Sequence, residues 1–365
     1  MKIMWLITRA DSIGGAQVHV RDMATRAHHD GHDVIVATGV PGPLTEQLAA
    51  TGVRVRLCEG MAREISPHRD LTAIRSVMSI LAEEKPDLLS THSSKAGIIG
   101  RIAAHRLHLP VIFTAHGWAF TRGVPQPKRT IYRLIERRAA KWADKIICVS
   151  DNDRQLAVAA GIEPDRLTTI HNGMPDIDPA LRAKPGQEGP LRAVMIARFD
   201  RQKDHDTLFR ALLDVPEIHL DLIGDGPGRA AIEALARTLG LADRIVFHGQ
   251  QRDVTPWLAQ AHLFVLSSHW EGFPRSTLEA MRAGLPVIVS RVGGAAEAVT
   301  DGTTGFVVAP GDRDELAVRL RDLAAHPELR AAMGAAGRER YERHFTLDRM
   351  YAETFSVYRT VALAK

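Results

Sequence analysis

Short apolar runs rich in β-branched residues alternate with stretches of helical spacing along the whole chain, and that alternation leaves few folds open. Ile3 to Thr8 reads as a strand, Ala16 to Gly31 as a helix, Asp33 to Ala37 as a strand, Pro43 to Thr51 as a helix and Val53 to Leu57 as a strand. Strand runs follow at Leu88 to Thr91, Val111 to Ala115, Lys145 to Val149 and Leu167 to His171. Strand–helix–strand units close right-handed, so this order predicts a parallel sheet with helices on both faces. The stretch 176–190 breaks the rhythm with several prolines, a Gly186-Gln187-Glu188-Gly189 string and no apolar period, which is the composition of a linker and places a hinge there. The pattern then restarts at Leu191 to Ala197, Ile218 to Ile223, Arg244 to Phe247, His262 to Leu266, Pro286 to Ser290 and Gly305 to Val308. The expectation is an α/β chain of two Rossmann-like, doubly wound domains, 1–175 and 191–345. Their strands' carboxyl ends would face each other across a cleft, where open α/β sheets bind ligands.

A chain of 365 residues, 45% hydrophobic, can bury two such cores. Lys and Arg number 47 against 43 Asp and Glu, a formal charge of +4. That mild excess suits an anionic small ligand or an anionic membrane surface, and it is too weak to imply nucleic acid. Neither zinc-finger spacing nor an aromatic-and-basic RNA-binding string accompanies it, so no nucleic-acid partner is expected. Cys58 and Cys148 are far apart, the latter inside an apolar run, and read as buried thiols in a reducing cytoplasm. The run Met1 to Arg9 is too short for a secretory signal and reads as a first strand. Nowhere do about eighteen apolar residues run without a charge, so any membrane association would be peripheral.

Function is most visible in Glu271-Gly272-Phe273-Pro274-Arg275-Ser276-Thr277-Leu278-Glu279. An apolar strand precedes it, Pro274 sits where a helix would begin, and Gly284 would end that helix, which places Glu271 on a loop and Glu279 on the helix. A helix N-terminus just past a strand offers N–H groups and a positive dipole end to a diphosphate, while neighbouring carboxylates accept bonds from sugar hydroxyls. Capping of that helix end is the competing use of such acids. After the strand ending at Ala197, Arg198 and Lys203 bring two cations to the same sheet end, where they could stabilise charge growing on a departing diphosphate; solvated surface side chains are the alternative. Gly224-Asp225-Gly226-Pro227-Gly228 also ends a strand, but Pro227 spoils a dinucleotide fingerprint, and a turn lining a nucleotide pocket fits better. Gly14-Gly15 joins the first strand to the first helix, either for close approach to a ligand or as a plain tight turn. His116 closes a strand of the first domain, as a cleft residue or as a structural histidine. Asp-x-Asp pairs at 151 and 153, 176 and 178, 204 and 206, and 312 and 314 could hold a metal. The first reads as a helix cap, the last opens a helix, and no His-Glu-x-x-His or Cys-x-x-Cys pattern is present. No essential metal and no cofactor is expected, with Arg198 and Lys203 supplying the positive charge.

Taken in order, Gly14-Gly15-Ala16, His116, Asn172-Gly173, Arg198 with Lys203, Gly224-Asp225-Gly226-Pro227, Glu271 to Glu279 and Ser290-Arg291-Val292-Gly293-Gly294 resemble the retaining glycosyltransferases of family four, with the GT-B fold. The likeness spans nearly the whole chain and is most specific in the second domain. It departs at Ala296, where many relatives carry proline. The resemblance implies an acceptor-binding first domain, a nucleotide-sugar-binding second domain, and a terminal helix, 346–365, that packs back on the first. It assigns donor-sugar hydroxyls to Glu271, the ribose to Glu279, the diphosphate to Arg198 and Lys203, and a place beside the donor sugar to His116. Gly14, Gly15, Gly224, Gly226, Gly272, Phe273 and Pro274 would complete the donor site. His92-Ser93-Ser94-Lys95-Ala96-Gly97 with Thr114-Ala115-His116-Gly117-Trp118 looks like the subset that builds bacterial surface polysaccharides. There the acceptor is commonly a sugar on a polyprenyl diphosphate, at the inner face of the cytoplasmic membrane.

Between Lys128 and Trp142, Ile131, Leu134, Ile135, Ala139 and Trp142 recur at helical spacing among Lys128, Arg129, Arg133, Arg137, Arg138 and Lys141. Such a helix could rest on anionic lipid or dock its apolar side on the core. The implied reaction moves a hexose or N-acetylhexosamine from a nucleoside diphosphate, UDP favoured, to a hydroxyl of a lipid-linked or soluble glycan with retention. Attack on the face the phosphate leaves competes with Glu271 as nucleophile. A sugar-nucleotide epimerase, a phosphorylase and a non-catalytic nucleotide-sugar sensor are the rival functions.

Overall fold

A computed structural model describes residues 1–121 and 123–364. Their packing forms two compact units, one of Met1–Met174 together with the last helix, the other of Pro175–Thr346. The first unit runs β1 (Lys2–Ile7), α1 (Gly15–His29), β2 (Asp33–Thr38), α2 (Pro43–Ala50), β3 (Arg54–Leu57), α3 (Pro67–Glu84), β4 (Leu88–His92), α4 (Ser94–Leu107), β5 (Val111–Ala115), α5 (Lys128–Ala140), β6 (Lys145–Cys148), α6 (Asp151–Ala159) and β7 (Leu167–Thr169). Its parallel strands lie in the order β3-β2-β1-β4-β5-β6-β7. The order therefore reverses between β1 and β4.

The residues of β1 show why the sheet is covered on both sides. Every residue from Ile3 to Ile7 is fully buried, and successive side chains point to opposite faces. Ile3, Trp5 and Ile7 pack with Val20, Met23 and Ala24 of α1, whereas Met4 and Leu6 pack with Val77, Ile80 and Leu81 of α3 and Ile99 and Ala103 of α4. Phe355, Tyr358 and Val361 of the last helix join the first of these clusters.

The second unit continues with β8 (Leu191–Ile196), α7 (His205–Leu212), β9 (Ile218–Ile223), α8 (Arg229–Thr238), β10 (Ile245–Gly249), α9 (Thr255–Gln260), β11 (Leu263–Leu266), α10 (Arg275–Ala283), β12 (Val287–Ser290), α11 (Ala295–Ala298), β13 (Gly305–Val308), α12 (Arg313–Ala325) and α13 (Pro327–His344); α14 (Leu347–Leu363) then returns to the first unit. Its parallel sheet has the order β10-β9-β8-β11-β12-β13, so it repeats the doubly wound topology with its reversal between β8 and β11.

One expectation is corrected. The stretch 176–190 is not a free linker: it belongs to the second unit, where Ala183 N–H bonds Ala283 O (2.8 Å), Arg330 Nε bonds Pro185 O (2.7 Å) and Arg338 pairs with Asp176. Arg330 of α13 holds its backbone and Arg338 holds its Asp176 side chain, contacts that need no apolar period in the stretch itself. The chain changes units at Met174–Pro175 and at Thr346–Leu347.

Helix α5 is fastened to α4 by charge. The Arg101 side chain is fully buried and that of Glu136 is 2% exposed; Nη2 of the arginine donates to Oε2 of the glutamate at 2.7 Å. Arg101 also donates Nε–H to Gly97 O (2.7 Å) and lies 4.3 Å from the centre of the Phe113 ring. Removing one partner of a buried pair strands the other, at a cost of about 3–5 kcal/mol. Denaturant unfolding of Glu136→Ala is expected to show a loss of that size, with most of it recovered in Arg101→Met/Glu136→Leu.

Candidate active site

The second unit concentrates its charged, hydrogen-bonded groups where the strand order reverses. The loop from β8 to α7 carries Arg198 through Asp204, and the loop from β11 to α10 carries Ser267 through Pro274. Their backbones are laced together: Asp204 N–H bonds Ser267 O (3.1 Å), His269 N–H bonds Gln202 O (2.8 Å), and Lys203 bridges Ser268 in antiparallel fashion. Asp204 also caps α7 through Thr207 N–H (3.1 Å), which fixes where the first loop ends.

These bonds bring Lys203 and Glu271 into a nearly buried ion pair, with side chains 10% and 6% exposed. Oε1 of Glu271 accepts from the Lys203 ammonium and from Ser268 Oγ (2.7 Å); Oε2 accepts from Gln202 Nε2 (3.0 Å), which also donates to Trp270 O (2.9 Å). Gln202 and Ser268 escaped the sequence reading. Their one signal was adjacency to Lys203 and Glu271, and nothing in that adjacency says that the two loops meet. Arg198 stands apart, 62% exposed with a 3.7 Å contact to Asp200, so its guanidinium is open to solvent.

Glu279 lies half-buried on α10, a helix that buries Thr277, Leu278, Ala280, Met281 and Ala283 and stops at Gly284 in the left-handed conformation (φ 84°). Pro274 is its N-cap and no side chain caps it, so its first N–H groups suit an anionic ligand. Phe273 is buried, its ring 5.6 Å from that of Phe345, and Gly272 O accepts Gly294 N–H at 2.6 Å.

Three glycines owe their identity to close backbone approach. A Cβ on Gly224 would lie 1.9 Å from Ala197 O, and one on Gly226 would lie 2.4 Å from Phe199 O. The turn after β9 is thus pressed onto the loop that carries Arg198. A Cβ on Gly293 (φ 49°) would likewise lie 1.9 Å from Glu271 O, so the glycine lets its loop brace the glutamate loop from behind.

The aspartate pairs have structural work. Asp153 N–H bonds the capping hydroxyl of Ser150 (3.0 Å), Asp312 caps α12 through Glu315 N–H (2.9 Å), Asp178 accepts from Ala180 N–H (2.8 Å), Asp176 pairs with Arg338 and Asp206 with Arg210.

In the first unit, Gly14 is the N-cap of α1 and Gly15 its first residue; a Cβ on Gly14 would meet only the flexible end of Gln17, at 3.2 Å. No side chain caps this helix and its first turn carries no acid, so the approach to its N-terminus is left to a ligand. His116 follows β5, and its Nε2 is 3.0 Å from Nδ1 of His92, the last residue of β4. On α5 the apolar residues face outward. Ile131, Leu134 and Ile135 are 50, 55 and 38% exposed, whereas the buried side is Glu136, Ala139 and Ala140. Lys128, Arg133, Arg137, Arg138 and Lys141 are exposed as well, and Arg129 is half-exposed.

Comparison with known proteins agrees with this architecture. Residues 13–176 match the model described as Glycosyltransferase Family 4, and residues 178–340 match Glycosyl transferases group 1. The UDP-Gal:alpha-D-GlcNAc-diphosphoundecaprenol alpha-1,3-galactosyltransferase of Escherichia coli is 31% identical over 75% of this chain and 75% of its own. The D-inositol 3-phosphate glycosyltransferase of Streptomyces scabiei is 30% identical over 94% and 86%. Among solved structures, Anabaena Alr3699/HepE in complex with UDP and glucose superposes with a TM-score of 0.86 at 22% identity, covering 98% of this chain and 99% of that one; at that identity the likeness is one of fold, GT-B.

Proposed function

The chain belongs to glycosyltransferase family four, and from that premise we propose that it moves a hexosyl or N-acetylhexosaminyl group from a UDP-sugar to a hydroxyl of a polyprenyl-diphosphate-linked glycan, with retention and without a required metal, in the synthesis of a bacterial surface polysaccharide. Transfer from a sugar nucleotide is the family's activity; donor, acceptor and stereochemistry are the proposal. The donor and acceptor named for the E. coli relative support it, and the Lys203–Glu271 pair carries the mechanism.

A carboxylate that already accepts from Lys203, Ser268 and Gln202 has its negative charge stabilised by three donors, which lowers its nucleophilicity towards an anomeric carbon and leaves about one of its roughly four acceptor positions open. It is well placed to accept from a sugar hydroxyl and to hold the sugar still. Lys203, fixed by Glu271, and the exposed Arg198 supply permanent positive charge for the diphosphate as its bond to the sugar breaks. One such preorganised group is worth about 3 kcal/mol in the transition state. The leaving oxygen then takes the acceptor's proton on the face it has vacated, so retention needs no enzyme base. Glu279 accepts from the ribose.

The α5 surface supports docking on an anionic bilayer. Exposed Ile131, Leu134 and Ile135 would enter the headgroup region and the surrounding lysines and arginines would meet lipid phosphate. No described helix is long and apolar enough to cross a membrane.

With EDTA present, a panel of UDP-, GDP- and ADP-sugars is expected to yield one UDP-sugar that raises the unfolding temperature and is slowly hydrolysed, both effects being lost in Glu279→Ala. Lys203→Ala is expected to lower turnover about a hundredfold. Binding of none of these donors by folded protein rejects the reading, and a glycosyl adduct on Glu271 seen by mass spectrometry rejects same-face attack. In a separate test, the protein is expected to sediment with vesicles containing phosphatidylglycerol but not with phosphatidylcholine alone. Leu134→Asp should abolish sedimentation without changing the unfolding temperature.

A further inference from the structure

The strand order of the first unit also reverses, between β1 and β4, and three histidines gather around that reversal. His19 lies on α1, the helix that follows β1; His92 ends β4; His116 follows β5. One ring nitrogen from each lies within 4.8 Å of the other two. His92 is fully buried and His19 is 4% exposed, while His116 is half-exposed and leaves one side of the cluster open. The rings of His92 and His116 stack with centres 5.3 Å apart, and His19 meets His116 edge-on at 4.7 Å.

We propose that this cluster is a three-histidine site for a borderline transition-metal ion of the Zn2+ or Co2+ class, and that filling it inhibits the enzyme by withdrawing His116.

Ligand chemistry selects the ion. Imidazole nitrogens suit zinc, cobalt, nickel and copper, and the set has no carboxylate to favour magnesium, calcium or manganese. Three nitrogens plus one open position is the arrangement of zinc sites that keep a water. Geometry asks for modest movement. His92 Nδ1 and His116 Nε2 are 3.0 Å apart, close to the roughly 3.3 Å spacing implied by Zn–N bonds of about 2.0–2.1 Å, and the widest pair must close by about 1 to 1.5 Å.

A supporting shell orients the inner ligand. Nε2 of His92 is 3.1 Å from Ser90 Oγ, which is 2.6 Å from the Tyr358 hydroxyl of α14. Holding the His92 proton at Nε2 directs its Nδ1 lone pair into the cluster. With the His92 proton on Nε2, the 3.0 Å contact without metal is His116 Nε2–H donating to His92 Nδ1. On binding, that proton moves to Nδ1 of His116 and Nε2 becomes a ligand.

The inhibitory half rests on the reading of His116 as the group beside the donor sugar; the binding half does not. The test uses the full chain freed of metal by EDTA dialysis. Co2+ alone is expected to bind with one high-affinity equivalent and the visible absorption band of a tetrahedral site, and Zn2+ to displace it. His19→Gln and His116→Gln are each expected to weaken binding at least tenfold. His92→Gln removes a fully buried ring and is liable not to fold, so the assignment rests on the other two variants, whose unfolding temperatures without metal are checked. No band with wild-type protein, or equal affinity in both variants, overturns the site. Micromolar Zn2+ is expected to suppress sugar transfer reversibly, with EDTA restoring it. Full activity with one ion bound overturns the inhibitory half and leaves the site. Loss of donor binding in the panel above would instead reject the proposed function with the metal result untouched.

Discussion

A lysine and a glutamate nearly removed from water join the two loops at the sheet reversal of the second unit. Burying such a pair costs more than its Coulombic attraction returns unless the remaining lone pairs and protons are satisfied. Glu271 meets that condition with donors from Lys203, Ser268 and Gln202, which come from two loops that the chain separates by three helices and three strands. The loops meet because β8 and β11, distant in sequence, are neighbours where the sheet order reverses. The topology therefore sets the electrostatics: the same reversal that opens a crevice at the strands' carboxyl ends also brings the two halves of the ion pair to it.

Rigidity comes from backbone rather than from side chains. Gly224 and Gly226 let the turn after β9 press on Ala197 and Phe199, and Gly293 lets the loop after β12 press on Glu271. Larger residues at these points would push the cation loop and the glutamate loop apart. Sequence reading gave the first two glycines a place at the nucleotide, and close approach of loop to loop is itself enough to require glycine there. The two roles are compatible, since a loop pressed flat against its neighbour exposes its amides on the other side.

Much of this was legible in one sequence. The strands of both sheets follow from short apolar runs between turn residues, and β5, β9 and β13 have the ends that the runs suggest. Pro274 and Gly284 delimit α10 as their backbone preferences require. What was not legible depends on contact across sequence distance. No local pattern shows that Arg330 and Arg338 bind the stretch 176–190, or that Gln202 and Ser268 hold Glu271. The histidine cluster was hidden for the same reason: His19 has only helical neighbours in sequence, and His92 reads as the polar end of a buried strand. The facing of α5 was undecidable as well. Its apolar and basic residues share one helix, and only the Arg101–Glu136 pair turns the small residues Ala139 and Ala140 inward.

The two sheet reversals carry different chemistry, and the difference follows from which side chains each can keep charged. At the reversal of the second sheet stand Arg198 and Lys203, a guanidinium and an ammonium. Under the proposed function their ligand is a diphosphate, which is anionic before and after its bond to sugar breaks. At the reversal of the first sheet stand histidines, of which at least His92 is held neutral by burial. A neutral imidazole exchanges hydrogen bonds with hydroxyls and does not attract phosphate. An imidazole nitrogen without a proton is also the ligand that a borderline metal ion takes, so a cluster of such rings at one reversal and a pair of cations at the other select ligands of opposite character.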